Sequence, residues 1–470
     1  MSVPDPSRTT AGTRTARTPG GRRLDVTTLL AVLLPLLAVA VALVVRTDGG
    51  AERTGAAAEE VPLTRASVVC PGGGSDVLVT STSGADGTVQ VRAGDEDRDV
   101  EVGPGRVAEV DLGERPAVVT GEGDLAPGLV AGRFSSPLAS FDCRAPVFDQ
   151  WFTGVGAGAR HQSVLQLVNP DEGRAVVDVE VLGAEGEVDA PGLRGIAVPG
   201  GQTRALPLAE VLPRRDELAL HVTVVRGRVA ASVRDTVRDL GRGRSGDDGL
   251  ASQSAPAATN LLLGVPSGTG PRSLVLANTA ESEGRASISF VTGRSTFAPA
   301  GLEAVELPPR STVVVPLTQP LAQAATDGEA GRPVGLQVES TVPATAALSG
   351  FVRGDLATAV PVDPLAGSGT AVLPAGDKTL VLGGSGSPGV VTVTARDADG
   401  RQLAEERVEV AAGRAPSIEL PGAARLVTVA AARTTVQAVV LVVGDGGATV
   451  VRVREPVTTG LVPDVRVGLP

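Results

Sequence analysis

Four times along the chain one short pattern recurs with the same internal spacing. An apolar residue closes a strand-like run, a turn of Pro, Gly or small residues follows, and a leucine stands ten positions on. The copies are Val102-GPGRVAEVD-Leu112, Val198-PGGQTRALP-Leu208, Leu307-PPRSTVVVP-Leu317 and Val410-AAGRAPSIE-Leu420. Their starts lie 96, 109 and 103 residues apart, so the chain reads as a tandem array of four units.

Each copy is framed by matching runs. Val77-LVTS, Leu165-QLVN, Leu274-VLAN and Leu380-VLGG come first, followed by Val89-QV, Val179-EV, Ile288-SF and Val391-TV. Behind the copies stand Gly128-LVAG, Val229-AASV, Ala344-TAAL and Val436-QAVV. Short alternating apolar runs bounded by Gly, Pro, Asn and Asp are strand-and-turn grammar. The repeated pattern itself reads as a hairpin. With about seven strands per unit, the predicted fold class is all-β, as tandem antiparallel Ig-like β-sandwich domains. Turns this tight leave no room for parallel crossovers, which need a dozen or more connecting residues. Helix is expected only as short turns near 208–215 and 317–325. The predicted domains are 67–146, 147–240, 261–361 and 378–470, with linkers at 241–260 and 362–377.

Ahead of the array lies VTTLLAVLLPLLAVAVALVV, twenty uncharged residues that open at Val26 and close at Val45. At about 1.5 Å per residue a helix of this length matches a bilayer core of roughly 30 Å. Pro35 is tolerated in a spanning helix. Secretory signals have shorter apolar regions of about 7–15 residues, so length favours an uncleaved transmembrane helix over a cleaved signal. Arg8, Arg14, Arg17, Arg22 and Arg23 precede the run against only Asp5 and Asp25. The positive-inside rule then predicts a disordered cytoplasmic tail at 1–25, a tether at 46–66, and an extracytoplasmic location for 46–470.

The whole chain carries −11, and its basic tail leaves the exported part more acidic still. That argues against nucleic acid as a partner. Cys70 and Cys143, both on the expected oxidising side, form the one available pair. A disulfide between them would stabilise by roughly 4 kcal/mol on the chain-entropy view, the alternative being two buried thiols.

Motifs for chemistry are scarce. The acidic turns at Asp95-Glu96-Asp97 and Asp397-Ala398-Asp399 occupy one repeat position, filled in the third unit by Thr292-Gly293-Arg294-Ser295. They therefore read as turns rather than calcium sites. Gly384-Ser385-Gly386-Ser387-Pro388-Gly389 matches a dinucleotide fingerprint in letters, but a strand follows it where a helix would be required. His161 and His221 are the only histidines. No nucleophile elbow or metal-spaced cluster accompanies them, so catalytic, cofactor and metal residues are all expected to be none.

Aromatic residues number eight, and five of them (Phe134, Phe141, Phe148, Trp151 and Phe152) crowd into one short stretch at the boundary of the first two units. Phe148, Trp151 and Phe152 read either as an interdomain plug, the favoured reading, or as an interaction surface.

Trp151-Phe152-x-Gly154, then Leu165-x-Leu167-x-Asn169-Pro170 and Val198-Pro199-Gly200, resemble a family of uncharacterised actinobacterial membrane-anchored or secreted envelope proteins, known as a domain of unknown function. The resemblance spans roughly residues 60–460. It implies a single-pass envelope protein in the setting of envelope glycosyltransferases, and it carries over no catalytic residue. The first and fourth units depart from the motif, with Ser81 and Gly383 in place of the asparagine.

The expected function is a membrane-anchored extracytoplasmic scaffold or interaction protein of the cell envelope, serving polysaccharide assembly, with an envelope protein or glycan as partner. The alternatives are a cryptic glycan-acting or hydrolytic enzyme and a passive structural spacer.

Overall fold

A computed structural model of the chain describes residues 33–37, 41, 59–74, 76–135, 138–212, 214–239, 244–266, 270–326 and 331–462. The chain divides into two compact units, residues 1–60 with 461–470, and residues 61–460. In the first unit residues 33–37 and 41 are helical and exposed. The tail expected at 1–25 and most of the segment 26–45 lie outside the described residues. Among the described residues no helix is long and apolar enough to cross a membrane.

The second unit is all-β, and every described strand pair within it is antiparallel. Its first sandwich sets the plan. One sheet runs in the order Arg65–Cys70, Ala117–Glu122, Gly87–Ala93, Glu96–Val102, and the other in the order Ala108–Asp111, Asp76–Ser81, Leu129–Ser135, Ala139–Phe141. Alternation does the folding here. Val77 and Val79 from one sheet face Val89 and Val91 from the other, all fully buried in one apolar core. Each such side chain stabilises by about 1.5–3 kcal/mol on burial.

The same order returns in the sandwiches that end in Arg244–Leu250 and Gly447–Arg452. In the third, two strands fuse into Gly335–Val352, eighteen residues long. Its residues 335–340 pair with Gly284–Val291, and its residues 344–350 pair with Arg272–Asn278. Pro343, which has no N–H to donate, sits where the strand leaves one ladder for the other.

Several expectations are corrected. Each unit has eight strand positions rather than seven. The recurring pattern is not a hairpin: Glu96–Val102 pairs with Gly87–Ala93, while Ala108–Asp111 pairs with Asp76–Ser81 in the opposite sheet. The pattern is an arch from one sheet to the other. Its two apolar ends, such as Val198 and Leu208, are both fully buried in one core. Residues 241–260, read as a linker, contain the strand Arg244–Leu250, and 362–377 contain Ser368–Val372. The tether ends early, since Arg65–Cys70 is the first strand of its sandwich. In these segments Gly, Ser and Asp mark close packing between strands, not slack chain. Helix does occur where expected, at Leu208–Val211 and Thr318–Thr326.

The acidic turn at Asp95 opens the outer strand Glu96–Val102, and the turn at Asp397 opens the equivalent Gln402–Val410. Both strands expose most of their length and are rich in charge, which discourages edge-to-edge pairing with another chain. Glu96 is paired with Arg98 at 2.5 Å and Arg115 at 2.7 Å. Asp397 accepts hydrogen bonds from the N–H of Asp399 at 3.1 Å and of Arg401 at 2.9 Å. These contacts are those of ordinary turns and exposed edges.

Candidate functional site

The last strands of the four sandwiches, Ala139–Phe141, Arg244–Leu250, Asp355–Ala359 and Gly447–Arg452, meet one another in a closed circuit. Two glycines allow that approach. A Cβ at Gly249 would stand 2.2 Å from the carbonyl oxygen of Ser140, and one at Gly447 would stand 2.4 Å from the Asp355 carboxylate. Any side chain there would drive the strands apart.

Asp248 is the hub of this circuit, at 1 % exposure. Its Oδ1 accepts from the N–H of Ser140 in the first sandwich (3.1 Å), from its neighbour Gly249 (2.9 Å) and from the Thr449 hydroxyl in the fourth (3.1 Å). Its Oδ2 accepts from the N–H and the hydroxyl of Thr358 in the third, both at 3.0 Å. One side chain of the second sandwich thus ties down the other three. Burial pushes its carboxyl up to about 8, against the pull of these donors.

Beside the hub, the first, second and fourth sandwiches enclose a cavity of about 500 Å³. At its polar end Asp142 accepts from both Arg452 and Arg454. Arg452 also donates to the Ser252 carbonyl at 2.5 Å, and only 7 % of its side chain is exposed. Arg144 donates to the hydroxyl of Ser252 and to Gln150 Oε1 at 3.4 Å. Burial opposes the charge on Asp142, yet the three guanidiniums win and hold its carboxyl far below the usual range. Burial also lowers Arg144 to about 9, helped by the neighbouring Arg454 and Arg452. An acid held ionised in this way cannot serve as the proton donor of a glycosidase.

Cys70 and Cys143 are bonded. The bridge ties the first strand of the first sandwich to the segment leaving it, next to Asp142 and Arg144. Nearby, Arg133 is fully buried, is hydrogen-bonded to no carboxylate among the described residues, and donates to the carbonyls of Gly74 and Pro71, each at 2.8 Å. It pins the loop that follows Cys70.

The aromatic cluster is distributed rather than gathered. Phe134 packs in the apolar cluster of the fourth sandwich. Phe141 lies against Gly73 and Gly249, and Phe152 belongs to the core of the second sandwich. Trp151 is 5 % exposed and clusters with Leu182 and Ala219 of the second sandwich and Ala277 of the third. It therefore plugs the second–third contact, not the first–second contact that chain proximity suggested. Its ring stacks on His221, with centroids 4.2 Å apart. Phe148 is 66 % exposed and joins none of these cores.

The two histidines serve the framework. His221 faces Asp149 at 2.8 Å and Glu180 at 3.3 Å, and Glu180 in turn pairs with Arg310 of the third sandwich at 3.3 Å. His161, Ser163 and Asp235 bring serine, histidine and aspartate together, but in the wrong order for nucleophilic catalysis. Ser163 Oγ donates to Asp235 at 2.5 Å and not to the imidazole, whose Nε2 faces the same carboxylate at 2.9 Å. Although burial disfavours its charge, Asp235 and Glu217 raise His161 to about 10. A ring already protonated at neutral pH cannot take a proton from a hydroxyl.

The asparagine of the L-x-N motif has a structural task. Asn169 donates to the carbonyls of Gly173 and Val198 at 2.7 and 3.1 Å, and Asn278 donates to those of Ser282 and Leu307 at 2.8 and 3.0 Å. Each clamps the start of the sheet-to-sheet arch in its own sandwich.

Fold and junction together define a multi-sandwich all-β protein in which Asp248, Asp142, Arg144 and Arg452 bond from one sandwich to another, while His161 and Arg133 bond within their own. Within that class the chain belongs to a family of unknown function (DUF5719), whose profile matches residues 117–421. The matched stretch runs from the first sandwich into the fourth. No curated protein matches the chain.

Proposed function

We propose that this chain is a non-enzymatic scaffold or interaction protein of the cell envelope, anchored by a single helix over 26–45 with 46–470 outside the cytoplasm. In this reading its sandwiches are Ig-like domains, and it serves envelope polysaccharide assembly by holding a protein or glycan partner. The observation that carries the proposal is the Asp248 hub. An aspartate side chain bonded to all three other sandwiches makes a rigid block of what the tandem repeat could have left as a flexible string, and rigidity suits a platform. The order of Ser163, Asp235 and His161 further favours holding over hydrolysis. Phe148, exposed on the segment between the first two sandwiches, is the proposed partner contact, since exposed aromatics anchor interfaces.

Two measurements test this reading. A reporter enzyme active only outside the cytoplasm, fused after Pro470, should be active; silence in cells that make the full-length protein would overturn the orientation. A photo-crosslinking residue in place of Phe148 should capture one reproducible envelope component. Capture no different from that at an exposed site such as Glu172 would overturn the partner contact.

A further inference from the structure

Five arginines and three carboxylates line the cavity beside the hub. Its carboxylates are already engaged: Asp142 by Arg452 and Arg454, Asp363 by the Ser254 hydroxyl at 3.0 Å, and Glu455 by the N–H groups of Ala366 and Gly367, both at 2.6 Å. Of the lining arginines, Arg228 is taken by Asp171 at 2.5 Å and Arg65 lies 3.6 Å from Glu122. Among the described residues Arg144 hydrogen-bonds only the neutral oxygens of Ser252 and Gln150, while the charges of Asp142 and Asp363 act on it without a direct bond. Arg452 lines the cavity with its Nε buried and without a hydrogen-bond partner among the described residues. A buried guanidinium that no carboxylate bonds, as at Arg144, is costly, and an oxyanion is the group whose geometry suits its donors.

The remaining wall is apolar, with Leu129, Phe134, Leu365 and Val372 among its residues. A volume of about 500 Å³ lies within the range of small-molecule sites, which mostly combine apolar walls with a few convergent polar groups.

We infer that this cavity binds a small organic anion, with a carboxylate or phosphate head held by Arg144 and Arg452 and an apolar body against Leu129, Phe134, Leu365 and Val372. The inference stands apart from the scaffold reading, because a scaffold needs no such ligand and a ligand needs no scaffold. The three sandwiches build the site jointly, so occupancy would also tighten their junction.

Equilibrium dialysis of the full-length protein against four matched probes tests it: 2-naphthoate, 1-naphthyl phosphate, 2-naphthalenemethanol and 2-naphthylmethylamine. At least one anion should bind ten-fold or more tightly than the neutral alcohol, and the tighter anion identifies the head group. Arg452→Gln should remove most of that preference. Ala145→Trp, which fills the cavity from its wall without touching a charge, should abolish binding and keeps the test decisive if Arg452→Gln fails to fold. Equal binding of the alcohol or the amine, binding of none of the four, or binding that survives Ala145→Trp would each overturn the inference.

Discussion

The sandwich interiors and the junction between them are made of opposite materials. Inside, valine and leucine from facing sheets meet with no direction to satisfy, as Val77, Val79, Val89 and Val91 do in the first sandwich. At the junction, Asp248, Asp142, Arg144 and Arg452 meet through hydrogen bonds that specify both distance and angle. Apolar packing proportional to area can be repeated four times with different residues. A polar contact works only if its one partner is present. The interiors should therefore tolerate change gradually, and the junction should fail at single residues.

The largest effect should come from Asp142→Asn. It leaves Arg452 buried without its carboxylate, which costs about 3–5 kcal/mol when a buried pair is broken from one side. Scanning calorimetry should show the first and fourth sandwiches melting apart; an unchanged single transition would mean that the junction does not depend on this pair. Trp151→Ala should cost about 3–5 kcal/mol as well, but it should loosen the second and third sandwiches and leave the first–second contact alone. Hydrogen exchange would locate the loss, and loosening confined to the first–second boundary would contradict the placement of the plug.

Leu165→Ala, inside the second sandwich, should cost about 2–5 kcal/mol. Its damage should stay within one core while the hub survives, and scattered protection losses across all four sandwiches would erase the distinction between interior and junction.

Acidity offers a finer probe of the two regions. His161 is raised from 6.5 to about 10 in the folded chain, so its stabilising pairing with Asp235 is complete below pH 6.5 and is lost as pH climbs toward 10. Asp248 is raised from 3.8 to about 8. The fold thus favours its neutral form and loses stability as pH climbs through that interval. Both groups make the protein less stable toward alkali. The denaturation midpoint should fall from pH 6 to pH 9, and His161→Gln should flatten the upper part of that slope. A midpoint that rose over this range would refute the sign. The smallest effect belongs to Phe148→Ser, within about 0.5 kcal/mol because the ring is exposed. A larger loss would show that the ring supports the junction after all.

How much of this was legible in the sequence follows the same division. The strands Asp76–Ser81, His161–Val168, Arg272–Asn278 and Asp377–Gly383 stand where alternation placed them, since burial on one face writes itself into every second residue. In sequence the arch looks like a hairpin, because the spacing from Val102 to Leu112 records that both ends are buried and not which sheet each joins. Arg244–Leu250 was read as a linker because RSGDDGL lacks apolar alternation. Its glycines and aspartates answer to neighbouring sandwiches, which a reading of local pattern does not include. Asp248 had one available signal: the second unit was short of the final strand that the first and fourth units possess.

By itself the sequence determined the four-fold repeat, the antiparallel all-β class and the Cys70–Cys143 bridge as the one pairing available, and it left Trp151 between a plug and an interaction surface. These rest on period, turn chemistry and count, which are local properties. Only the tertiary structure decided that Trp151 seals the second and third sandwiches, that Asp248 joins all four, and that Asp142, Arg144, Arg452 and Arg454 converge on one cavity. Those residues lie up to about three hundred positions apart, and a charge carries no periodic mark of the partner it will meet.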